Sequence, residues 1–528
     1  MLPYRKRLKT LSPALLRGVR RGIEKESLRV APDGSLALTP HPAALGSALT
    51  HDHITTDFSE SQLELITGVH DTVDGCLDEL TRIHQFVHRN IGDETLWCCS
   101  MPCALPADDR IPLGRYGTSN VGMAKTVYRR GLSNRYGSRM QTISGIHYNF
   151  SVPEAAWPLL QQAAQAGGPT QTFQDAAYFS LIRNFRRHSW LLMYLFGASP
   201  AVCSSFVAGR DHGLQPLTEG NLHLPWATSL RMSPLGYQSA AQSSLAVSYN
   251  NLDTYAYSLS DALTHPYPDY EKIGIRDGDE YKQLSTTLLQ IENEFYGTIR
   301  PKRPIRQGER PVHALRERGV EYVEVRLMDL DPFCPIGITE ATIRFLDIFL
   351  LHCLLSDSPA DTPAEIVVLA RNQLLMARQG RDPALVLTRD RHSLSPAEWG
   401  GALLAEYAPI AEALDAAHKG SAYRDALQNA AALLRQPSAT PSARVLAEMA
   451  ARHANSFTDF GLARSLQYKK DLLALPWSPR DEATARADAA ASLVEQKRIE
   501  ATDSMPFEVY RQHYLSRNRL KARRAANA

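Results

Sequence analysis

Two glutamates, Glu24 and Glu26, stand two residues apart in Arg21–Val30, a stretch whose pattern predicts a β-strand. Side chains two residues apart in a strand point to the same face of the sheet, so the two carboxylates share one face. Neighbouring carboxylates on a packed sheet repel each other, and arginines or a divalent metal ion normally compensate their charge. We therefore expect the chain to fold so that cations reach this strand.

Three further segments alternate polar and apolar residues in the same way. Each segment places two polar side chains two residues apart on one face: Gln62 and Glu64, Glu292 and Glu294, and Glu324 and Arg326. Because the alternation has the period of a strand, we predict one sheet with a charged inner face that carries all of these pairs.

The segment 140–152 also alternates, and it contributes a histidine to the predicted face. Its polar side consists of Gln141, His147, Asn149 and Ser151. A lone histidine in such a position more often has a structural role. The carboxylates expected on neighbouring strands favour a functional role for His147 instead.

The overall charge excludes several classes of function. The chain of 528 residues has 58 basic and 56 acidic side chains, so no global field attracts it to nucleic acid or to an anionic membrane. Seven cysteines, an odd number, do not form a disulfide framework, and no stretch is long and apolar enough for a membrane span. We expect a cytoplasmic protein that acts on small molecules.

The order of the predicted elements suggests a single catalytic domain over residues 1–515. A sheet core covers about 20–335, and a helical layer covers about 336–515. Within the core, the polar and aromatic stretch 116–137 is interpreted as a loop. The helices predicted for the layer span 343–355, 362–377, 396–417, 423–434, 439–453 and 482–501. The basic segment 516–528 is expected to be a disordered tail.

Acids from several strands, one histidine and several arginines suit Mg²⁺ or Mn²⁺, which bridge nucleotide phosphates in many enzymes. The chain contains neither a P-loop nor a dinucleotide-binding glycine motif, so metals and arginines would have to hold the phosphates. Such a combination stabilises the charge on a phosphoryl group during its transfer. Any single Glu-x-Glu pair is more often a solvated strand edge, but several pairs on one face favour a site.

Six segments, in order along the chain, together resemble bacterial glutamate-cysteine ligases of the proteobacterial type. They are 21–29 (RGIEKESLR), 54–60 (ITTDFSE), 140–151 (MQTISGIHYNFS), 195–201 (LFGASPA), 289–296 (LQIENEFY) and 320–326 (VEYVEVR). The resemblance runs from about residue 14 to 350 and continues more weakly beyond it. Leu327, where a small polar residue is more usual, and the tail from 517 depart from the family pattern.

The resemblance implies an α+β fold like that of glutamine synthetase, in which a curved antiparallel sheet forms a cup surrounded by helices. It also implies that ATP phosphorylates the γ-carboxylate of L-glutamate and that the amine of L-cysteine then displaces phosphate. The product is γ-glutamylcysteine, and the reaction is the first step of glutathione biosynthesis. Feedback inhibition by glutathione and a monomeric state are further expectations.

The resemblance also assigns roles to individual residues. More than one Mg²⁺ or Mn²⁺ ion would be held by Glu24, Glu26, Asp57, Glu64, His147 and Glu324. The catalytic residues would be Arg326 and Arg129, which lie near the phosphates, and Asp57, the candidate acceptor of the amine proton. Substrate binding would fall on Phe58, Tyr128, Leu132, Gln141, Asn149, Arg231, Tyr237 and Tyr296.

Alternative functions remain open from the residues alone. A related ligase could join glutamate to another amine, and only the aromatic pocket argues against it. A glycoside hydrolase also uses two carboxylates, but it does not need this many acids together with a histidine and arginines. A non-catalytic metal-binding module is the third alternative.

Overall fold

The computed structural model describes residues 3–236, 240–243, 245, 247–306 and 308–521. Its largest sheet has seven strands. They are β1 (Arg20–Val30), β2 (Ile54–Thr56), β3 (Gln62–Ile66), β4 (Thr95–Leu96), β5 (Ile146–Ser151), β6 (Ile299–Lys302) and β7 (Tyr322–Met328). Six of them lie in the order β6-β7-β5-β1-β3-β2, β4 pairs with the end of β1, and every pairing is antiparallel.

Three small two- or three-stranded sheets lie outside the main sheet. Their strands are Ala201–Cys203, Gln215–Thr218 and Asn221–His223; Arg276–Asp277 and Glu280–Tyr281; and Leu387–Arg389 and His392–Leu394. The α-helices before residue 336 are Pro3–Leu8, Pro13–Arg17, Val73–Asn90, Asn120–Tyr136, Ala156–Ala163, Thr170–His188, Trp190–Phe196, Ser204–Val207, Ala240–Ser243, Leu252–Ala262, Pro268–Ile273 and Pro311–Arg318.

The C-terminal third is helical, as predicted. Its α-helices are Glu340–Leu355, Pro363–Gln379, Pro396–His418, Ala422–Arg435, Pro441–Arg452, Phe457–Ala474, Pro479–Thr502 and Phe507–Leu515. Six of them overlap the six predicted helices, whereas Phe457–Ala474 and Phe507–Leu515 were not predicted. None of the described helices combines the length and the apolar character that a membrane crossing requires.

The face of β1 opposite Glu24 and Glu26 is buried against helices. Ile23 is fully buried there, and Arg21 forms a buried ion pair with Asp347 of the helix Glu340–Leu355 at 3.1 Å. The hydroxyl of Tyr148 on β5 donates to the same carboxylate at 2.7 Å. The helix therefore packs behind the sheet and leaves the other face of these strands to the charged residues.

The segment 116–137, interpreted from the sequence as a loop, contains the helix Asn120–Tyr136. Ser119 caps its N-terminus by accepting from the backbone N–H of Gly122, and Gly137, with φ +83°, follows its end. These are ordinary helix start and stop signals. The polar composition concealed them, because the helix has only a weak apolar stripe along its length.

The predicted strand 289–296 is also absent. Glu292–Glu294 forms a 3-10 turn, in which side chains two residues apart do not share a face. Glu292 pairs with Arg310 at 2.7 Å, and Glu294 pairs with Arg135 at 2.8 Å. The prediction that these two acids belong to the charged sheet face is therefore wrong, because buried arginines from elsewhere in the chain compensate them.

The basic tail begins with ordered structure instead of the expected disorder. Arg517–Leu520 forms a 3-10 turn, in which Leu520 is buried and its carbonyl accepts from Arg316 at 2.7 Å. A buried apolar side chain and hydrogen bonds to the backbone carbonyls of Leu520 and Lys521 thus anchor the segment despite its charge. Residues 522–528 lie outside the described part of the chain.

Candidate active site

Strand register brings the acidic residues together on one face of the sheet. It places three pairs directly opposite each other: Glu24 and His147, Glu26 and Glu64, and Glu324 and Asn149. Directly opposed residues of an antiparallel pair point to the same face. Residues separated by up to three hundred positions therefore line a single surface, as the alternation predicted.

His147 lies at the centre of the acidic cluster. Its Nδ1 is 3.2 Å from the carboxylate of Glu24 and 3.9 Å from that of Glu324, and its Nε2 is 3.5 Å from that of Glu26. One ligand atom from each of Glu24, Glu64 and His147 lies within 4.8 Å of the other two. This spacing allows the three residues to share one cation.

Several polar atoms of the cluster are buried without a hydrogen-bond partner among the described residues. They are Oε1 of Glu26, Nε2 of His147, Oδ1 of Asn149 and Oε2 of Glu324. Buried polar atoms are nearly always satisfied, so four orphans at one place indicate a missing ligand. Carboxylate oxygens with one imidazole form a donor set that suits Mg²⁺ or Mn²⁺. The residues present therefore fit the divalent metal that the sequence predicted.

The acids on the β1–β3 side repel one another. Burial and the charge of Asp57, which follows β2 directly, raise the pKa of Glu26 to about 8. Burial, together with the charges of Glu24 and Asp57, raises the pKa of Glu64 well above its usual range. Without a cation, the carboxyl group of Glu26 therefore holds a proton at neutral pH, and a bound metal would replace that proton.

The other side of the cluster is basic. Glu324 lies 3.1 Å from Lys302 Nζ and 3.2 Å from Arg326. Burial raises the pKa of Glu324, but these two cations outweigh that effect and hold it well below its usual range. Burial and the guanidinium of Arg326 lower the pKa of His147, which favours the neutral imidazole that metals bind.

Lys302 is a site residue that the sequence reasoning did not assign. Its strand β6 lies at the edge of the sheet, where Arg300 and Lys302 alternate with Ile299 and Pro301. The same period-two pattern that selected Glu324 and Arg326 marks Lys302, so the signal was available in the sequence.

The helix Asn120–Tyr136 forms one wall beside the charged face. Phe58 and Leu132 are buried in the same apolar cluster, and Tyr128 packs against it. Nε of Arg129 donates to the backbone carbonyl of Asp57. The predicted substrate residues of this helix are therefore close to Asp57, and Arg129 holds the backbone on which Asp57 stands.

Gln141 and Tyr296 form a second wall. Gln141 lies on the 3-10 turn Met140–Thr142, before β5 begins, and its amide donates to the Tyr296 hydroxyl at 2.9 Å. The strand predicted over 140–152 therefore starts later than expected. The ring of Tyr136, which was not predicted, stands 5.9 Å from the ring of Tyr296. Tyr237 lies outside the described residues.

Arg231 is fully buried beneath the site. Its guanidinium donates to the backbone carbonyl of Arg326 at 2.7 Å and lies 3.9 Å from Asp329. A side chain on Gly145 would approach the Arg231 guanidinium to 2.2 Å, so the arginine fills the space under this loop. The structure thus places Arg231 as a support for Arg326. Asn149 also supports another site residue, because its side-chain amide donates to the carboxylate of Glu24 at 2.9 Å.

Comparison with known proteins gives a consistent result. A family model described as "Glutamate-cysteine ligase" matches residues 6–376. The chain is 49% identical over 506 residues to a glutamate-cysteine ligase of Alcanivorax borkumensis, with 95% of this chain and 96% of the relative covered. It is 49% identical over 503 residues to one of Janthinobacterium sp., with 95% of each covered.

Two solved structures are similar as well. A crystal structure of glutamate-cysteine ligase from Francisella tularensis in complex with AMP has a TM-score of 0.87 and 36% identity, with 94% of this chain and 97% of that chain covered. A bifunctional glutathione synthetase from Pasteurella multocida has a TM-score of 0.72 and 26% identity, with 94% and 58% covered. These matches confirm the predicted α+β fold, with its antiparallel sheet and surrounding helices.

Proposed function

Because the chain belongs to the glutamate-cysteine ligase family, we propose that it joins the γ-carboxylate of L-glutamate to the amine of L-cysteine in a reaction driven by ATP. The product, γ-glutamylcysteine, is the precursor of glutathione. The observation that carries this proposal is the convergence of acids from β1, β3 and β7 around His147, with Arg326 and Lys302 beside them.

The metal-holding residues in this proposal are Glu24, Glu26, Asp57, Glu64, His147 and Glu324. The orphaned oxygens of Glu26 and Glu324 and the orphaned nitrogen of His147 support it. When bound, more than one Mg²⁺ or Mn²⁺ ion would neutralise the phosphates of ATP and act as a Lewis acid toward the transferring group. Asn149 keeps Glu24 oriented toward the cluster.

Arg326 stabilises the charge that develops on the transferring phosphoryl group. It projects from the same strand face as Glu324 and is half-buried, so its guanidinium acts in a poorly solvated place where electrostatic interactions are strong. Lys302 adds a second positive charge, 3.1 Å from Glu324. Arg231 holds the backbone of Arg326 in place. Arg129, near Asp57, is the second arginine proposed to face the phosphates.

The amine acceptor lies between the helix wall and the Gln141–Tyr296 wall. Tyr128 packs against the buried apolar cluster that contains Phe58 and Leu132, and we assign these three residues to the cysteine side chain. The amine must lose a proton when it attacks the γ-glutamyl phosphate, and Asp57 is the proposed acceptor. Its position next to this wall and to Glu26 supports that role.

Acceptor-dependent phosphate release tests the function. With Mg²⁺, glutamate and ATP present, we expect purified protein to release phosphate with cysteine, more slowly with 2-aminobutyrate, and least with ammonia. Chelation of the metal is expected to abolish release, which would also exclude a glycoside hydrolase. Equal release without any acceptor would contradict the coupled reaction. A faster reaction with another amine would instead favour the related ligase.

Three further properties belong to the same proposal. The family resemblance supports inhibition by glutathione, which initial rates at increasing glutathione would reveal. The seven cysteines are all free, which suits a reducing, cytoplasmic setting. A monomeric state is tested by light scattering coupled to gel filtration.

A further inference from the structure

A segment near the C-terminus crosses the start of the helix that lines the acceptor pocket. We name Glu500–Leu515 the C-terminal strap. Glu500 accepts from the backbone N–H of Thr118 at 2.8 Å, and the carboxylate of Asp503 accepts from the backbone N–H of Asn120. These N–H groups lie at or just before the first turn of Asn120–Tyr136, where helix donors lack partners within the helix. The strap therefore supplies two negative charges at the positive end of the helix dipole.

The strap approaches too closely for a side chain to fit between it and the helix. Gly117 has φ +80°, and a Cβ there would come within 2.2 Å of both Gln496 and Glu500. The side-chain amide of Asn120 donates to the carbonyl of Met505 at 2.9 Å. Glycine at 117 and the amide of Asn120 thus permit direct contact between the two segments.

An apolar contact extends the interaction along the helix. Phe507 and Tyr510 of the strap pack against the cluster of Ala124, Val127 and Leu284. Tyr128, a residue of the proposed acceptor pocket, packs against the same cluster. The strap is therefore separated from a substrate-binding side chain by one layer of packed residues.

The strap also reaches the second wall of the pocket. Arg310 is buried, pairs with Glu292 at 2.7 Å, and donates to the carbonyl of Tyr514 at 3.0 Å. Its guanidinium stands 4.8 Å from the ring of Tyr514. Glu292 begins the turn that leads directly to Tyr296. The helix that carries Tyr128 and Leu132 and the turn that leads to Tyr296 consequently rest on the same strap.

We propose that the C-terminal strap positions the two walls of the acceptor pocket and so determines the affinity for the amine acceptor. The inference rests on the proposed function. Asp503, Phe507 and Tyr514 are positioning residues, because they act through the helix Asn120–Tyr136 and the turn Glu292–Glu294. Of the residues assigned to metal and phosphate, Arg129 lies on that helix but is also tied to the backbone carbonyl of Asp57, just after β2. The others lie on or directly next to the sheet, which the described contacts of the strap do not include.

Steady-state kinetics of full-length variants test the proposal. Asp503→Ala and Phe507→Ala are each expected to raise KM for cysteine about fivefold, which corresponds to roughly 1 kcal/mol, the typical cost of a lost helix cap. KM for ATP and for glutamate should change by less than about twofold. Asp503→Asn retains an acceptor oxygen and should recover most of the affinity. Arg498→Ala, which removes an exposed pair with Glu495 at 2.6 Å, is the matched control.

Hydrogen exchange provides a readout that needs no substrate. Amides of 120–136 should exchange faster in Asp503→Ala than in the wild type or in Arg498→Ala, while β1 and β5 remain protected. Equal KM values for cysteine in the wild type and both alanine variants would overturn the proposal, as would a parallel rise of all three KM values. If the wild type itself lacks acceptor-dependent phosphate release, the proposed function fails. Faster exchange of 120–136 in Asp503→Ala would still show that the strap stabilises this helix.

Discussion

Glu24 and His147, 123 residues apart in the chain, lie directly opposite each other on neighbouring antiparallel strands, with Nδ1 of the histidine 3.2 Å from the carboxylate. The pair joins β1 to β5 at the centre of the charged face. Because the orphaned Nε2 of His147 is directed toward the acids of β1, this histidine is the residue whose loss most directly tests the metal site.

His147→Ala should weaken Mn²⁺ binding by about tenfold or more. The substitution removes a metal ligand and also removes the imidazole that lies between the repelling carboxylates. Isothermal titration with Mn²⁺ measures the change. His265→Ala, at an exposed helix end, serves as the control. Unchanged Mn²⁺ affinity in His147→Ala would contradict its assignment as a ligand.

Arg326→Ala should lower kcat about 100- to 1000-fold, because a preorganised positive charge is lost where the phosphoryl group is transferred. Its affinity for Mn²⁺ should remain near that of the wild type. Phosphate-release kinetics and calorimetric titration on the same sample separate the two effects. Loss of metal affinity with unchanged kcat at saturating metal would show that Arg326 serves the metal site instead. Arg306→Ala, an exposed arginine, is the matched control.

Tyr296→Phe should lower kcat/KM for cysteine up to about tenfold, since it removes the hydroxyl that accepts from Gln141 at 2.9 Å. KM for ATP should stay the same, because the hydroxyl belongs to the acceptor wall. Rates measured at varied cysteine and then at varied ATP distinguish these outcomes. An effect on ATP alone would remove Tyr296 from the acceptor pocket.

Acid should destabilise the fold through His88, which is buried in the helix Val73–Asn90. Burial and the charge of Lys25 lower its pKa to about 3. In the unfolded chain the imidazole of His88 binds a proton near pH 6.5, whereas in the folded chain it stays neutral until about pH 3. The contribution of neutral His88 to the free energy of unfolding is therefore complete above pH 6.5 and is lost as the pH falls toward 3. Between pH 7 and pH 5 the free energy of unfolding should fall by about 2 kcal/mol through this one group.

Urea unfolding at pH 7 and pH 5 measures this effect. His88→Leu should narrow the difference between the two unfolding midpoints, whereas a substitution at the exposed His265 should leave it unchanged. An identical pH response in His88→Leu and the wild type would show that other groups control acid stability.

The sequence predicted the strands that carry the site because their alternation is a local property. Glu24 with Glu26, and Glu324 with Arg326, alternate with apolar residues, and any sheet that buries those apolar residues must turn the charged ones to one side. The antiparallel arrangement and the helical C-terminal third followed from pattern and family resemblance together.

Only the tertiary structure decided which acids share a site. Glu292 and Glu294 show the same spacing as Glu24 and Glu26, yet Arg310 and Arg135 neutralise them in a 3-10 turn. Spacing along the chain reports which side chains share a face if a strand forms. Charge compensation depends on residues far away in sequence, so spacing alone could not reveal it. The helix that carries Tyr128 does have local start and stop signals, which its weak apolar stripe concealed. The contact of the strap with this helix joins residues 383 positions apart, and no local pattern reports such a contact.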